Sequence, residues 1–254
     1  MVPRAGRRRR AARMMCAADL RRAPFPAMPF NGTDRLYVTG TDTGAGKTLA
    51  SCALLHALRG HGLRAVGMKP VASGCTLVEG YWRNGDALAL QEASDPQPPY
   101  ADLNPYALPK PLAPELAARA AGIEVALPPL LDAFARLRAQ AEVVVVEGVG
   151  GWAAPLATDV EQADLVRQLG APVVLVVGMR LGCINHARLT ARAIAAEGFH
   201  LAGWIASEVD PRMACRDENL ELLAMRLPAP FLGRLPYTPD PDPAQLAACL
   251  SLPR

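Results

Sequence analysis

The chain has 254 residues, of which 51% are hydrophobic and only 5% aromatic, and its formal net charge is +3. This length suffices for one large α/β domain, and the low aromatic content suits a core of Leu, Val and Ala, as in parallel sheets covered by helices. Eight arginines against one aspartate in residues 1–27 more than account for the net charge. The rest of the chain is therefore mildly acidic, and the basic balance gives no argument for nucleic-acid binding.

Residues 1–30 are predicted to be a disordered, Arg-rich extension, followed by one domain over residues 31–254. An Arg-rich, acid-poor start also fits a transit peptide or a nucleic-acid arm. We favour a plain extension, upstream of a natural start at Met28, because the fold begins soon after, near Arg35.

Six cysteines are spread along the chain without a C-x-x-C pair, and the sequence has neither a signal peptide nor a long apolar span. This pattern predicts a reduced, cytoplasmic protein with no membrane segment and no Cys-based zinc site.

Continuous apolar runs alternate with helical patterns along the chain. The predicted strands are Arg35–Thr39, Ala65–Lys69, Val143–Glu147, Val173–Val177, Leu201–Ala206 and Phe231–Leu235. The predicted helices are Lys47–Arg59, Gly85–Ala93, Ala113–Ala121, Leu130–Gln140, Glu161–Leu169, Asn185–Ala196 and Asp217–Arg226. The alternation predicts a doubly wound, mostly parallel sheet flanked by helices, with ligands at the carboxyl ends of its strands. The Pro-rich segment 95–114 is expected to be a surface loop without regular structure.

The fold is organised around residues 40–48, which read Gly-Thr-Asp-Thr-Gly-Ala-Gly-Lys-Thr between a predicted strand and a predicted helix. Backbone N–H groups of such a loop can wrap phosphate oxygens, and the following helix N-terminus adds unpaired donors. Lys47 supplies a full charge, and the Thr48 hydroxyl can bind Mg²⁺. The first Gly lies one residue farther from Gly-Lys than in the usual phosphate-binding loop.

Lys69 ends the second predicted strand and is expected at the same rim as Lys47. Two cations at one rim would repel each other unless a polyanion lay between them, which favours a nucleotide together with an anionic substrate. Asp86 opens a helix, so it is either a first-turn acid favoured by the helix dipole or a Mg²⁺ carboxylate.

Glu147 ends a run of four valines and precedes the Gly-rich stretch Gly148-Val149-Gly150-Gly151. Phosphate-loop enzymes place their Mg²⁺ carboxylate at such a strand end, and a buried acid without a partner would be costly. A second turn that feeds a helix, residues 178–186, offers another anion site. Its Cys183 is interpreted as a small packed residue, because no Cys–His–acid arrangement is visible.

These motifs together resemble the dethiobiotin synthetase family, whose fold is P-loop NTPase-like. The resemblance covers Arg35 to Tyr237 and includes the unusual loop spacing. It rests on TGTDTGAGKT (39–48), KPVASG (69–74), NGDALAL (84–90), EGVGGW (147–152), LGCINHA (181–187) and AGWI (202–205).

The resemblance implies roles for the matching positions. Lys69 and Lys47 would be catalytic, and Thr48, Asp86 and Glu147 would hold Mg²⁺. ATP would contact Gly44, Ala45, Gly46, Lys47, Thr48, Leu49, Asp86, Glu147, Gly148, Val149, Gly150, Ser207, Pro236, Tyr237 and Thr238. The substrate would contact Thr43, Lys69 and Ser73, and its carboxylate would reach Gly182, Cys183 and Asn185 of the other subunit of a homodimer.

The implied reaction joins 7,8-diaminopelargonate and CO₂ (from bicarbonate) at the expense of ATP. A substrate amine captures CO₂ as a carbamate, the carbamate attacks the γ-phosphate, and the second amine closes the ureido ring with release of phosphate. Anionic carbamate and triphosphate need lysines and Mg²⁺ to hold them together, so alignment and charge neutralisation are expected to carry the rate.

One position departs from the family pattern. Ser207 stands where the family often has an Asn that reads the adenine, and a serine hydroxyl cannot match the paired donor and acceptor of an amide. The sequence therefore predicts a relaxed choice of nucleotide base.

Two other readings of the same scaffold remain open from the sequence. An amide-forming ligase such as a cobyrinic acid diamide synthase is usually fused to a glutaminase domain, for which this chain has no room. A partitioning-type switch ATPase normally carries a second lysine just ahead of Gly-Lys-Thr, where this chain has Thr41-Asp42-Thr43.

Overall fold

A computed structural model describes residues 33–253, and the predicted N-terminal extension lies outside them. The strands are β1 (Arg35–Gly40), β2 (Ala65–Met68), β3 (Val71–Ser73), β4 (Thr76–Val78), β5 (Tyr81–Arg83), β6 (Tyr106–Leu108), β7 (Val143–Glu147), β8 (Pro155–Ala157), β9 (Val160–Glu161), β10 (Val173–Met179), β11 (Leu201–Glu208) and β12 (Phe231–Leu235). The helices are α1 (Lys47–Gly60), α2 (Gly85–Ala93), α3 (Tyr100–Leu103), α4 (Pro114–Ala121), α5 (Leu127–Arg138), α6 (Gln162–Leu169), α7 (Cys183–Ala196), α8 (Arg216–Arg226) and α9 (Pro243–Leu246).

Six strands form one sheet in the order β12-β11-β10-β1-β7-β2, and all neighbouring pairs are parallel. The phosphate-loop strand β1 lies inside the sheet, with β10, β11 and β12 on one side and β7 and β2 on the other. The direction in which the chain adds strands therefore reverses at β1. Ligands of open α/β sheets bind at such a switch point, outside the carboxyl ends of the strands. The doubly wound, parallel fold predicted from the sequence is confirmed.

Successive residues of each strand point to opposite faces of the sheet, and both faces are buried. Val144 and Val146 of β7 belong to the core under α4–α8, whereas Val143 and Val145 belong to the core under α1, α2 and α9. This two-sided burial explains why the strands read as continuous apolar runs.

The Pro-rich segment 95–114 was expected to lack regular structure, and this expectation is wrong in part. It contains the short helix α3 and the strand β6, which pairs in parallel with β3. Its prolines lie beside these elements: Pro99 precedes the first turn of α3, and Pro105 precedes β6. Leu103 and Leu108 are buried, so the segment packs on the domain.

Two antiparallel hairpins, β4–β5 and β8–β9, lie outside the main sheet. Within residues 33–253, no helix has the length and apolar character needed to cross a membrane.

Candidate active site

Three strand ends lie side by side at one edge of the sheet because β7 is hydrogen-bonded between β1 and β2. The residues after β1 form the phosphate loop, β7 ends at Glu147, and Lys69 follows β2 directly. The three strongest motifs of the sequence therefore meet in space.

The phosphate loop turns through glycines with left-handed backbone, Gly44 at φ 71° and Gly46 at φ 84°. Gly46 also lies against β11, since an ideal Cβ on it would stand 2.2 Å from the Ser207 hydroxyl oxygen. Helix α1 starts at Lys47 and directs its unpaired N–H groups toward the loop. Only glycine meets both conditions at position 46.

The Lys47 ammonium is buried and donates to two backbone carbonyls, Asp42 O at 3.0 Å and Gly150 O at 2.6 Å. Burial, and then the charge of Lys69, lower the pKa of Lys47 to about 8. The side chains of Lys47 and Lys69 line the same cavity.

Lys69 is 3% exposed and bridges two carboxylates, Glu147 Oε1 at 2.5 Å and Asp86 Oδ2 at 3.0 Å. Burial alone would lower the pKa of Lys69, but these two carboxylates together raise it. For Asp86, burial alone would raise the pKa, but the charge and hydrogen bond of Lys69 outweigh burial and lower it.

Glu147 is fully buried, and its Oε1 accepts from the Thr48 hydroxyl at 2.9 Å. Its other oxygen, Oε2, is buried without a hydrogen-bond partner in the described part of the chain. A buried carboxylate oxygen with no donor is costly unless a ligand satisfies it.

The lysines, Thr48 and Asp86 line one cavity of about 840 Å³. Other predicted site residues in its wall are Thr43, Gly44, Gly46, Leu49, Ser73, Val149 and Gly150. The cavity is also lined by Pro111, Leu112, Ala113 and Pro114, which give it an apolar wall in addition to the charged one.

Several predicted site residues do not line this cavity. Ala45, Glu147 and Gly148 are buried, and Ser207 is buried against Gly46. Pro236, Tyr237 and Thr238 are exposed and follow β12. Gly182, Cys183 and Asn185 lie at the start of α7. Cys183 is buried, which raises the pKa of its thiol, as expected for a packed residue.

Two buried asparagines that support the cavity were not among the predicted site residues. Asn104 donates to the carbonyl of Lys69 at 2.7 Å. Asn84 caps α2, the helix of Asp86, and donates to Ser73 O at 3.3 Å. The Asn-Gly pair at a helix start could have indicated the second, but the Pro-rich surroundings of Asn104 gave no signal.

Comparison with known proteins places the chain in a family. A family model described as an AAA domain matches residues 34–245. The ATP-dependent dethiobiotin synthetase BioD of Xanthomonas axonopodis pv. citri is 67% identical over 218 residues, which cover 86% of this chain and 97% of that protein. The chain belongs to the ATP-dependent dethiobiotin synthetase family. The protein of the same name from Xylella fastidiosa is 65% identical over 215 residues, 84% of this chain and 95% of that protein.

The synthetase family assignment confirms the resemblance drawn from the six motifs. Among solved structures, the MinC:MinD cell division protein complex of Aquifex aeolicus is similar at TM-score 0.48 and 15% identity, with 81% of this chain and 82% of that chain covered. The signal recognition particle receptor FtsY from Elizabethkingia anophelis is similar at TM-score 0.47 and 16% identity, with 86% and 61% covered.

Proposed function

We propose that the chain is a dethiobiotin synthetase, an ATP-dependent ligase of biotin biosynthesis that closes the ureido ring of dethiobiotin from 7,8-diaminopelargonate and CO₂. One observation carries the proposal beyond family membership: Lys47, Lys69, Thr48 and Asp86 converge on a single cavity. A shared cavity with two ammonium groups suits a reaction between two anions, a carbamate and a triphosphate.

The phosphate loop, residues 44–49, is proposed to bind the triphosphate through backbone N–H groups and the N-terminus of α1. Lys47 would contact the transferred phosphoryl group and the carbamate from one side, and Lys69 from the other. Thr43 and Ser73 would hold the amino end of the diamine, with its hydrocarbon chain along the apolar wall at Pro111–Pro114.

In this arrangement the protein supplies no nucleophile. A carbamate oxygen attacks the γ-phosphorus and ADP leaves, which gives a carbamic–phosphoric anhydride. The second amine then attacks the anhydride carbon, and phosphate leaves as the ring closes. The lysines would stabilise the negative charge that moves between oxygens during the transfer. The rate enhancement would then come from this charge stabilisation and from the alignment of the carbamate with the γ-phosphate.

The residues at the cavity fit a magnesium ion. Thr48 and Asp86 line the cavity and offer hard oxygen donors. Glu147 is buried against Thr48, and its partnerless Oε2 is the atom that a cation would satisfy. Residues 33–253 contain no group of three or more His, Cys, Asp or Glu side chains placed to hold a metal ion, so phosphate oxygens and water would complete the coordination shell. When bound, Mg²⁺ would neutralise triphosphate charge.

Three further features belong to the proposal. The enzyme would be a homodimer in which Gly182, Cys183 and Asn185 of one subunit receive the substrate carboxylate bound by the other. Ser207 and the segment Pro236–Thr238 would lie near the base of ATP. We place the enzyme in the cytoplasm because the cysteines of the described residues are free thiols.

The test uses the full chain with MgATP, 7,8-diaminopelargonate and ¹³C-bicarbonate. We expect dethiobiotin that carries the label at the ureido carbon, detected by mass spectrometry. Unlabelled or absent product in the complete mixture would refute the proposal. Family membership favours this reaction over the switch ATPase and the amide-forming ligase.

A further inference from the structure

Gln162 lies in the first turn of α6, is fully buried, and does not line the cavity. Its amide nitrogen nevertheless points into the Gly-rich loop that follows β7. The acceptors are the backbone carbonyls of Gly151 at 2.5 Å, Ala154 at 3.2 Å and Trp152 at 3.3 Å. One side chain from a different element thus gathers three carbonyls of this loop.

The amide oxygen of Gln162 is used as well. It accepts from the Tyr37 hydroxyl at 2.7 Å and from the backbone N–H of Val149 at 3.1 Å. Both ends of the amide are therefore satisfied inside the protein, as a buried polar group requires. Tyr37 belongs to β1, so the contacts join α6, the loop and the central strand.

These contacts bracket Gly150, because Gln162 holds Val149 before it and Gly151 after it. The carbonyl of Gly150 accepts from the Lys47 ammonium at 2.6 Å. An ideal Cβ on Gly151 would lie 3.6 Å from the carbonyl oxygen of Gly40, so the loop also packs on the start of the phosphate loop.

We infer that Gln162 is a positioning residue for the proposed reaction, which sets the Lys47 ammonium by fixing the Gly150 carbonyl. The inference rests on the proposed function. Gln162 does not line the cavity, so it acts through the loop of residues 148–154. Displacement of a reacting group by about 1 Å can cost up to roughly 10²-fold in rate, so a loop anchor of this kind affects turnover.

The test substitutes Gln162→Met, which keeps side-chain length and removes every hydrogen bond of the amide. We expect kcat to fall at least about tenfold and KM for ATP to change by a smaller factor, because residues 44–49 still bind the phosphates. Amide hydrogen exchange should accelerate at residues 148–154. The matched control is Gln91→Met: Gln91 donates to Pro98 O at 2.8 Å, outside the cavity, so kcat should stay unchanged.

A purely structural role would lower the unfolding temperature of Gln162→Met but leave the kcat of the folded enzyme and the exchange of residues 148–154 as in the wild type. That result would overturn the inference. If Gln162→Met does not fold, Gln162→Glu, which keeps an acceptor oxygen for Tyr37 and Val149 and loses the NH₂ donor, must show the same changes. If the wild-type chain makes no dethiobiotin, the proposed function is refuted, but the role of Gln162 in the loop is not. Hydrogen exchange of residues 148–154 in the wild type and in Gln162→Met then decides whether Gln162 fixes the loop.

Discussion

Lys47 and Lys69 differ in how the protein balances their charges. Lys47 has only backbone carbonyls as partners, and its pKa is lowered, whereas Lys69 lies between two carboxylates and its pKa is raised. In the proposed reaction Lys47, which has no carboxylate within hydrogen-bonding distance in residues 33–253, would bind the incoming anion. Lys69 would link that anion to Asp86 and Glu147.

Replacement of Lys69 tests its catalytic assignment. Lys69→Ala should lower kcat by about 10² or more, because it removes one preorganised charge at the transferred phosphoryl group. It also leaves the buried Glu147 without its cation, so kcat is measured at a temperature where circular dichroism shows folded protein. Lys110→Ala, at an exposed position, is the control. Near-normal turnover of Lys69→Ala would refute the assignment.

Ser207 is the residue that we propose to lie near the nucleotide base. Its hydroxyl is buried against Gly46, and it lacks the paired donor and acceptor of an amide. A hydrogen-bonded contact to adenine would favour ATP over other nucleotides by about 1–3 kcal/mol. Because Ser207 cannot make the paired contact, we expect the kcat/KM values for ATP, CTP and GTP to lie close together. A strong ATP preference would end this idea.

At the scale of elements, the strand–loop–helix unit β1–α1 depends on its glycines. Gly46→Ala would place an alanine in a left-handed backbone conformation, with its Cβ directed at the Ser207 hydroxyl. We therefore expect the free energy of unfolding to fall by about 1–3 kcal/mol and ATP binding to weaken. Gly60→Ala, at the other end of α1, meets no atom within 4 Å and should leave both unchanged. Calorimetry of unfolding and of ATP binding compares the two, and equal behaviour would contradict the expectation.

Elements with strong periodicity could be predicted from the sequence, and those defined by long-range pairing could not. The valine run of β7 and the glycine loop after β1 carry their own local signals. Strand β6 has three residues among prolines and exists because β3 pairs with it. The same distinction holds at the site: Lys69 was recognisable at a strand end, whereas Asn104 and Gln162 act through contacts that only the fold creates.

At the scale of the whole molecule, the family model matches residues 34–245, which leaves the Arg-rich start outside the match. We propose that residues 31–254 form the catalytic domain. A protein that starts at Met28 should then have the same kcat and the same unfolding temperature as the full chain. Loss of either in the shortened protein would show that the first residues belong to the working enzyme.

The central claim is that one cavity brings a carboxylated diamine and a triphosphate together. The most direct measurement is phosphate release from MgATP with and without 7,8-diaminopelargonate and bicarbonate. We predict release only when both are present, with one phosphate for each dethiobiotin formed. ATP hydrolysis at the same rate without the diamine would contradict the account and favour a switch ATPase.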